Sequence, residues 1–193
     1  MAITVNGDSG TLVYNGKEQT YTGIVSAISA DAAFDASKFS YTGSVAVKGK
    51  DVGSYTTQLN KDDCKYADNN YTADWTVGGP ITLTITPKSI TGAKVSLDKT
   101  QLTYNGSVQT VNVTGVTIDE LSLTSDDYEV TGNEGTDKGT YTVTVTGKGN
   151  FKDSATAEWS IIEKAMIVSA AGYTGIYDGQ PHGITVYVTE PDS

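Results

Sequence analysis

Few residues of this chain could carry catalysis. The single histidine, His182, stands in a turn-like segment late in the sequence. Nucleophilic and general acid–base catalysis normally need a positioned histidine, thiol, amine or carboxylate pair, so one such histidine argues against a Ser-His-Asp arrangement. The 23 acidic residues are spread along the chain, and their spacing singles out no catalytic pair. We therefore predict that the protein is not an enzyme and uses no cofactor.

The segment 58–80 holds the residues best suited to binding a ligand. We predict no metal site, but the acidic loop offers the oxygen ligands that calcium prefers, without the spacing of an EF-hand. Its aromatic rings could form a platform for a sugar, the alternative being that they pack on the sheet below. The candidate calcium ligands are Asp62, Asp63 and Asp68, and the candidate platform is Tyr66, Tyr71 and Trp75.

Covalent chemistry has two candidates. The single cysteine, Cys64, excludes an internal disulfide, and its polar neighbours predict an exposed or half-exposed thiol. Lysines in or next to predicted strands could form isopeptide crosslinks with Asn or Asp, but the sequence indicates no partner, and solvated lysines are the ordinary alternative. These lysines are Lys17, Lys48, Lys94 and Lys148.

The charge of the chain limits its partners. The formal net charge is −10, and the 13 basic residues are all lysines. This balance argues against a surface that reads nucleic-acid phosphates. The sequence has no apolar run long enough to span a membrane, and residues 1–5 lack the features of a signal peptide, so we expect any export signal to be encoded elsewhere.

One motif recurs and sets the organisation of the chain. An apolar or β-branched residue, a tyrosine and then Asn-Gly or Asp-Gly occur three times, 90 and then 73 positions apart. Asn, Asp and Gly tolerate the positive φ of tight turns. We expect the tyrosine to anchor a strand end in the core and the following pair to make the turn. The copies are Tyr14-Asn15-Gly16, Tyr104-Asn105-Gly106 and Tyr177-Asp178-Gly179.

The repeated motif predicts small domains in tandem. Repeat 1 covers 1–87 and carries an inserted hairpin or loop near 58–80, and repeat 2 covers 88–163. Residues 164–193 resemble the truncated start of a third repeat, so we expect the sequence to be a piece of a longer array. Hardly any linker separates the repeats, which predicts limited bending between them.

Strands are predicted where apolar and polar residues alternate, most clearly over 141–146. The entrance to this strand, Asp-x-Gly-x-Tyr, leads to Tyr141 and also to Tyr55, 86 positions earlier. This pattern resembles the tyrosine corner of immunoglobulin-like sandwiches, where the tyrosine hydroxyl bonds back to the chain. Trp159 is predicted to face inward in the strand that closes repeat 2.

The predicted fold class is all-β, with tandem small Ig-like β-sandwich domains. The alternative is β-grasp-like units with one short helix, because residues 31–39 begin with an acidic residue and contain good helix formers. We predict a helix of one or two turns there. The equivalent stretch of repeat 2, residues 118–123, is short, and this favours the sandwich.

The chain resembles the YDG or MBG type repeats of bacterial secreted and cell-surface proteins. The resemblance rests on the three Tyr-Asn/Asp-Gly copies, the Asp-x-Gly-x-Tyr strands, the segment Gly147-Lys148-Gly149-Asn150-Phe151 and the closing Trp159-Ser160-Ile161. It covers both full repeats and the final fragment. The family implies an exported, often cell-wall-attached protein with many repeats and no catalytic residues.

These patterns favour a non-catalytic extracellular module that acts as an adhesive or spacer rod. Neighbouring repeats of the same chain, a host glycan or a surface protein are its expected partners, and we expect a monomer without membrane insertion in this segment. One alternative is a carbohydrate-binding module with its site in segment 58–80. Another is an accessory domain of a secreted glycan-degrading enzyme whose catalytic part lies outside this sequence.

Overall fold

A computed structural model describes residues 1–189 and shows an all-β protein. Strands β1 to β10 are Ala2–Gly7, Ser9–Val13, Gln19–Thr22, Val25–Ile28, Phe39–Tyr41, Ala46–Gly49, Gly53–Thr57, Cys64–Tyr66, Asp74–Gly79 and Ile81–Thr86. Strands β11 to β23 are Lys88–Ser89, Lys94–Leu97, Gln101–Thr103, Gln109–Thr110, Val113–Ile118, Leu121–Leu123, Tyr128–Thr131, Glu134–Gly135, Gly139–Gly147, Phe151–Lys152, Ser154–Ile162, Ile167–Ala171 and Thr185–Thr189. The helical residues among these 189 form short 3-10 turns, at Ala36–Lys38, Lys61–Asp63 and Ser125–Asp127.

The chain forms two compact units. Unit 1 comprises Met1–Lys94, Val116–Glu129 and Val145–Ala155, whereas unit 2 comprises Val95–Gly115, Val130–Thr144 and the chain from Thr156 onward. The predicted boundary between repeats, near residues 87–88, therefore lies inside unit 1. No helix in the described part of the chain is long and apolar enough to cross a membrane.

Unit 1 contains two sheets with mixed strand directions. Strand β1 pairs antiparallel with β4 and parallel with β9, while β10 pairs parallel with β2 and antiparallel with β7. Along β10, apolar residues alternate with threonines, which suits a strand with one buried face. Its apolar residues are almost fully buried together with two residues from neighbouring segments: Ile81, Leu83, Ile85, Val47 and Leu59.

The strands of segment 58–80, which was predicted to be an inserted hairpin or loop, do not pair with each other. Strand β8 pairs with β5, and β9 pairs parallel with β1, so the strands of this segment pair with other strands of unit 1. The pairing of β9 shifts register between Val5 and Asn6. Pro80 then separates β9 from β10. Proline lacks the N–H that a ladder needs, which suits its position between two strands that belong to different sheets.

Unit 2 contains the pairing of β21, the last strand of the predicted repeat 2, with β13. Strand β13 pairs parallel with β21, with Leu102 opposite Ile161, and β14 pairs antiparallel with β18. The order of the largest sheet is β13-β21-β19-β17. Strands β22 and β23 form a separate two-stranded sheet in which all residues are exposed.

The helix expected in 31–39 reduces to the 3-10 turn at Ala36–Lys38. Aspartate side chains accept backbone N–H groups two residues onward, from Ala33 to Asp31 and from Ser37 to Asp35. Such local bonds offer the backbone an alternative to helical hydrogen bonding. The aromatic end of the segment, Phe39, instead opens strand β5.

Candidate functional site

The recurring motif is a turn with fixed geometry. In the first copy the Asn15 Oδ1 accepts the backbone N–H of Lys17 at 2.9 Å, and Gly16 has a φ of +78°. The Gln19 amide donates to the carbonyl of Val13 at 3.1 Å, which links the residues on either side of the turn. The prediction that Asn-Gly makes the turn is therefore confirmed here.

The other two copies repeat this geometry. The Asn105 Oδ1 accepts from Ser107 N–H at 2.9 Å, and the Asp178 Oδ1 accepts from Gln180 N–H at 2.9 Å. In the third copy His182 takes the position of the glutamine, and its Nε2 lies 2.9 Å from the Asp178 carboxylate. The glycines have φ values of +77° and +76°, at Gly106 and Gly179. The histidine therefore belongs to the turn.

Of the three motif tyrosines, Tyr14 packs against the core of unit 1 as predicted, whereas Tyr104 and Tyr177 do not anchor a core. Tyr104 is 40% exposed and Tyr177 is 91% exposed. Tyr14 is half-buried, and its ring meets the Phe151 ring edge-on with centroids 5.4 Å apart. Strand β2 ends at Val13, so Tyr14 follows the strand, and its half-buried side chain packs against the core of unit 1. The contacts of each motif tyrosine therefore depend on the residues that surround the end of its strand.

In unit 1, Asn150 joins the surface beside Tyr14. Its Oδ1 accepts the backbone N–H of Val52 at 2.8 Å, and its Nδ2 donates to the Asp51 carboxylate at 3.0 Å. The Asn150 side chain thus uses both its acceptor oxygen and its donor nitrogen. The next residue, Phe151, places its buried ring against Tyr14. We call Tyr14, Asp51, Val52 and Lys88 the Tyr14 surface.

Lys88 completes the Tyr14 surface. Its backbone N–H donates to the Asn150 carbonyl at 3.0 Å, and its ammonium lies 2.7 Å from the Asp119 carboxylate. Close packing extends to the turn, where a Cβ added to Gly16 would lie 2.7 Å from Leu121. Because Leu121 Cδ2 ends a side chain that can rotate, glycine is favoured here by its positive φ and not by a lack of space.

Electrostatics around Tyr14 follow from the same contacts. Burial raises the pKa of the Tyr14 hydroxyl, and the negative charges of Asp51 and Asp127 act in the same direction. The Asn150 side chain opposes this shift by hydrogen bonding to the ionised form. A neutral hydroxyl at physiological pH suits a contact surface and offers no nucleophile or base.

Unit 2 carries the corresponding residues around Tyr104. A cavity of about 420 Å³ is lined by Tyr104, Asp137, Lys138, Glu163, Lys164 and Met166. The Lys138 ammonium forms an ion pair with Glu163, and hydrogen bonding to this lysine lowers the pKa of the Glu163 carboxyl. Tyr104, Asp137, Lys138 and Lys164 stand at the sequence positions of the Tyr14 surface, and we call them the Tyr104 surface.

In both copies of the Asp-x-Gly-x-Tyr pattern, the tyrosine hydroxyl donates back to the carbonyl of the aspartate, a bond that we call the tyrosine back-bond. The Tyr55 hydroxyl donates to the Asp51 carbonyl at 2.9 Å, and the Tyr141 hydroxyl donates to the Asp137 carbonyl at 2.6 Å. Trp159 is fully buried and stacks on Tyr141 with ring centroids 4.7 Å apart. The inward orientation predicted for this tryptophan is confirmed.

In the predicted sugar platform, two of the three rings pack against other aromatic rings of the chain. Tyr66 stacks on Phe34 with centroids 5.7 Å apart, and Trp75 lies against Phe39 at 5.8 Å. The Tyr66 hydroxyl also accepts the backbone N–H of Asp35 at 2.9 Å. Tyr71 is the member with an exposed ring, at 42%. Two of the three rings are thus engaged in separate pairs.

Asp68, one of the candidate calcium ligands, is engaged by other groups. The Asp68 carboxylate bonds the Lys38 ammonium at 2.7 Å and the Asn70 backbone N–H at 3.0 Å. The bond to Lys38 is the main cause that lowers the Asp68 pKa. Within residues 1–189 no group of three acidic, histidine or cysteine side chains could hold a metal ion, so Asp62 and Asp63 do not complete a site with Asp68.

Cys64 is buried, which corrects the expectation of an exposed thiol. Burial raises the pKa of this thiol, and the charges of Asp63 and Asp62 add to the effect. The prediction was wrong because Cys64 begins strand β8, whose alternation turns it inward while Lys65 faces solvent. A buried, protonated thiol is poorly suited to nucleophilic chemistry.

Sequence reasoning assigned no role to Asn150. The signal that could have found it is an asparagine-aromatic pair that occurs twice after a polar segment, at Asn70-Tyr71 and Asn150-Phe151. Comparison with models of known protein families and with curated protein sequences found no match to this chain.

Proposed function

We propose that the chain is a non-catalytic extracellular repeat segment of a bacterial surface or secreted protein, which acts as an adhesive or spacer rod. The observation that carries this proposal is the contact of Asn150 and Phe151 with the Tyr14 surface. Residues assigned by sequence to repeat 2 thereby hold residues assigned to repeat 1. A tandem array with such junctions resists bending more than domains on free linkers do.

The repeats are proposed to be small Ig-like β-sandwiches. Support comes from the tyrosine back-bonds in β7 and β19. Strand β7 lies beside β10 and strand β19 lies beside β21, and β10 and β21 are the last strands of their repeats. An Ig-like tyrosine corner has this bond and this neighbour. The 3-10 turn at Ala36–Lys38 is too short to serve as the helix of a β-grasp unit.

The proposed rod is tested by a substitution that removes the hydrogen bonds of the Asn150 side chain to Val52 and Asp51. In the Asn150→Ala variant, small-angle X-ray scattering should show a more flexible particle, because the bonds to Val52 and Asp51 are lost. Lys148→Ala changes the same turn and is the matched control, expected to leave the scattering profile unchanged. A rigid profile in Asn150→Ala, with circular dichroism showing an intact fold, would contradict the junction as the source of stiffness.

The extracellular location is tested on cells. Antibodies raised against this chain should label intact, unpermeabilised cells of the organism that encodes it, or its culture medium. Labelling that requires permeabilisation would overturn the location while leaving the junction proposal untouched.

A carbohydrate-binding role has one observation in its favour, the exposed ring of Tyr71. It has less support than the rod because Tyr66 and Trp75 pack against other rings. A glycan array should show hits that disappear in Tyr71→Ala if the role is real. An array without hits would remove this candidate.

A further inference from the structure

We infer that the Tyr104 surface is a docking site for the Asn-aromatic turn of a further repeat of the same kind. This inference rests on the proposed tandem-repeat function and names the partner that the Tyr104 surface would bind in such an array. The argument starts from the Tyr14 surface, where the structure shows both sides of such a contact.

The first step is that the Tyr104 surface repeats the chemistry of the Tyr14 surface. Tyr104 follows its strand and precedes the same Asn-Gly turn as Tyr14, with the same φ at glycine. The Asp137 carbonyl accepts the hydrogen bond of the Tyr141 hydroxyl, just as the Asp51 carbonyl accepts that of the Tyr55 hydroxyl. The aromatic ring and the carboxylate that receive Phe151 and Asn150 at the first surface are therefore both present at the second.

The second step is that the Tyr104 ring has room for a partner. Tyr104 is 40% exposed, whereas Tyr14, at the equivalent position, is half-buried with Phe151 against its edge. The cavity beside Tyr104 measures about 420 Å³ and adds the side chain of Met166, which is 65% exposed. An aromatic ring placed there would cover apolar surface on two sides.

The third step is that the inserting turn is itself a repeated feature. Phe151 N–H donates to the Lys148 carbonyl at 3.1 Å, and Tyr71 N–H donates to the Asp68 carbonyl at 3.3 Å. Each aromatic follows an asparagine, Asn150 in one case and Asn70 in the other. Phe151 is 5% exposed, but Tyr71 is 42% exposed. The same turn thus occurs once in contact with a tyrosine surface and once with its ring in solvent.

The occupant follows from these steps. It is a repeat that offers an asparagine whose amide can bridge the Asp137 carboxylate and the backbone N–H of Lys138, with a Phe or Tyr beside it for the Tyr104 ring. The amide of asparagine is suited to this because it carries a donor and an acceptor side by side. A short linker would hold the two partners at high effective concentration, so the contact need not be strong by itself.

The test lengthens the full chain by inserting a second copy of residues 88–163 between Glu163 and Lys164. This keeps a lysine at the junction, as at Lys88. Asp137→Cys in the original repeat is then combined with Asn150→Cys in the added copy, and disulfide formation is followed under mild oxidation. The matched reference is Asp51→Cys with Asn150→Cys in the unmodified chain, where the two side chains are in contact at 3.0 Å.

We expect the Asp137–Asn150 pair to crosslink to the same extent as the reference pair. Asp137→Cys with Glu158→Cys in the added copy, an exposed position on another strand, should not crosslink. Hydrogen exchange at residues 104–107 should also slow about tenfold in the lengthened chain without cysteines, and Phe151→Ala or the milder Asn150→Ala in the added copy should restore the faster rate.

The outcomes separate the two proposals. If the reference pair crosslinks and the Asp137–Asn150 pair does not, and exchange at 104–107 is unchanged, the docking inference fails while the rod survives. If the reference pair itself fails to crosslink in a folded chain, the junction at the Tyr14 surface fails and the proposed function falls with it.

Discussion

At the scale of single residues, Gly132 shows how local geometry constrains the sequence. It has a φ of +75°, and its carbonyl accepts the indole N–H of Trp159 at 3.1 Å. A Cβ at this position would overlap the carbonyl oxygen of Thr142. Gly92 has nearly the same φ, +79°, but a Cβ there would meet no atom within 4 Å. The two glycines therefore separate backbone strain from steric overlap.

Gly132→Ala should destabilise the protein more than Gly92→Ala. Both variants incur about 1–2 kcal/mol for placing a side chain in the left-handed region. Gly132→Ala adds about 1–3 kcal/mol because the backbone must move away from Thr142. Urea unfolding followed by tryptophan fluorescence measures both losses. Equal losses would mean that the chain around Gly132 shifts without cost.

Asp68 makes the stability of unit 1 depend on pH. Its folded-state pKa is lowered, first by the hydrogen bond from Lys38 and then by the backbone N–H of Asn70. A lowered folded pKa contributes stability that is present above the unfolded value of about 3.9 and is lost as the pH falls through the folded pKa. Asp68→Asn should therefore lower the melting temperature at neutral pH, and the difference from the native chain should shrink on acidification.

The control for this prediction is Asp62→Asn, which replaces an exposed aspartate in the same segment. Its melting temperature should stay parallel to that of the native chain across the acid range. A difference between Asp68→Asn and the native chain that does not change with pH would show that the carboxylate acts through packing and not through its charge.

At the scale of elements, strands β10 and β21 show what alternation can and cannot predict. The inward faces of both were predictable, because Leu83, Ile85, Trp159 and Ile161 alternate with polar residues and all four are buried. The pairing partners were not, since a strand's sequence specifies its buried face more directly than its neighbours. Segment 58–80 was therefore predicted as an inserted hairpin or loop, and the sequence did not indicate that its strands pair with β1 and β5.

The β22–β23 hairpin should be the least protected element of the chain. It pairs through five residues on each side, from Ile167 opposite Thr189 to Ala171 opposite Thr185, yet every residue is exposed. A two-stranded hairpin without a packed face is marginally stable in water. Native-state hydrogen exchange should show its amides close to unprotected rates while those of β10 exchange far more slowly. Comparable protection would mean that the hairpin has a packing partner in solution.

At the scale of the whole molecule, the all-β class and the turn motif could be predicted, but the surroundings of the motif could not. Asn-Gly requires a turn wherever it occurs between strands, because the cause is local. Tyr14 contacts both the core of unit 1 and Phe151, which lies far along the chain, and no local pattern specifies such contacts. The same motif therefore gives a half-buried ring at one position and exposed rings at Tyr104 and Tyr177.

This difference predicts unequal costs for the same substitution. Tyr14→Ala should lower the free energy of unfolding by about 2 kcal/mol, since a half-buried ring loses part of the 3–5 kcal/mol that a buried aromatic loses. Tyr104→Ala should cost less than about 1 kcal/mol, as surface substitutions do. Tyr177→Ala, with a ring 91% exposed, is the control and should cost still less. Urea titration of the three variants measures these losses. Equal losses at Tyr14 and Tyr104 would show that the contact with Phe151 adds no stability and that the ring matters only for its own turn.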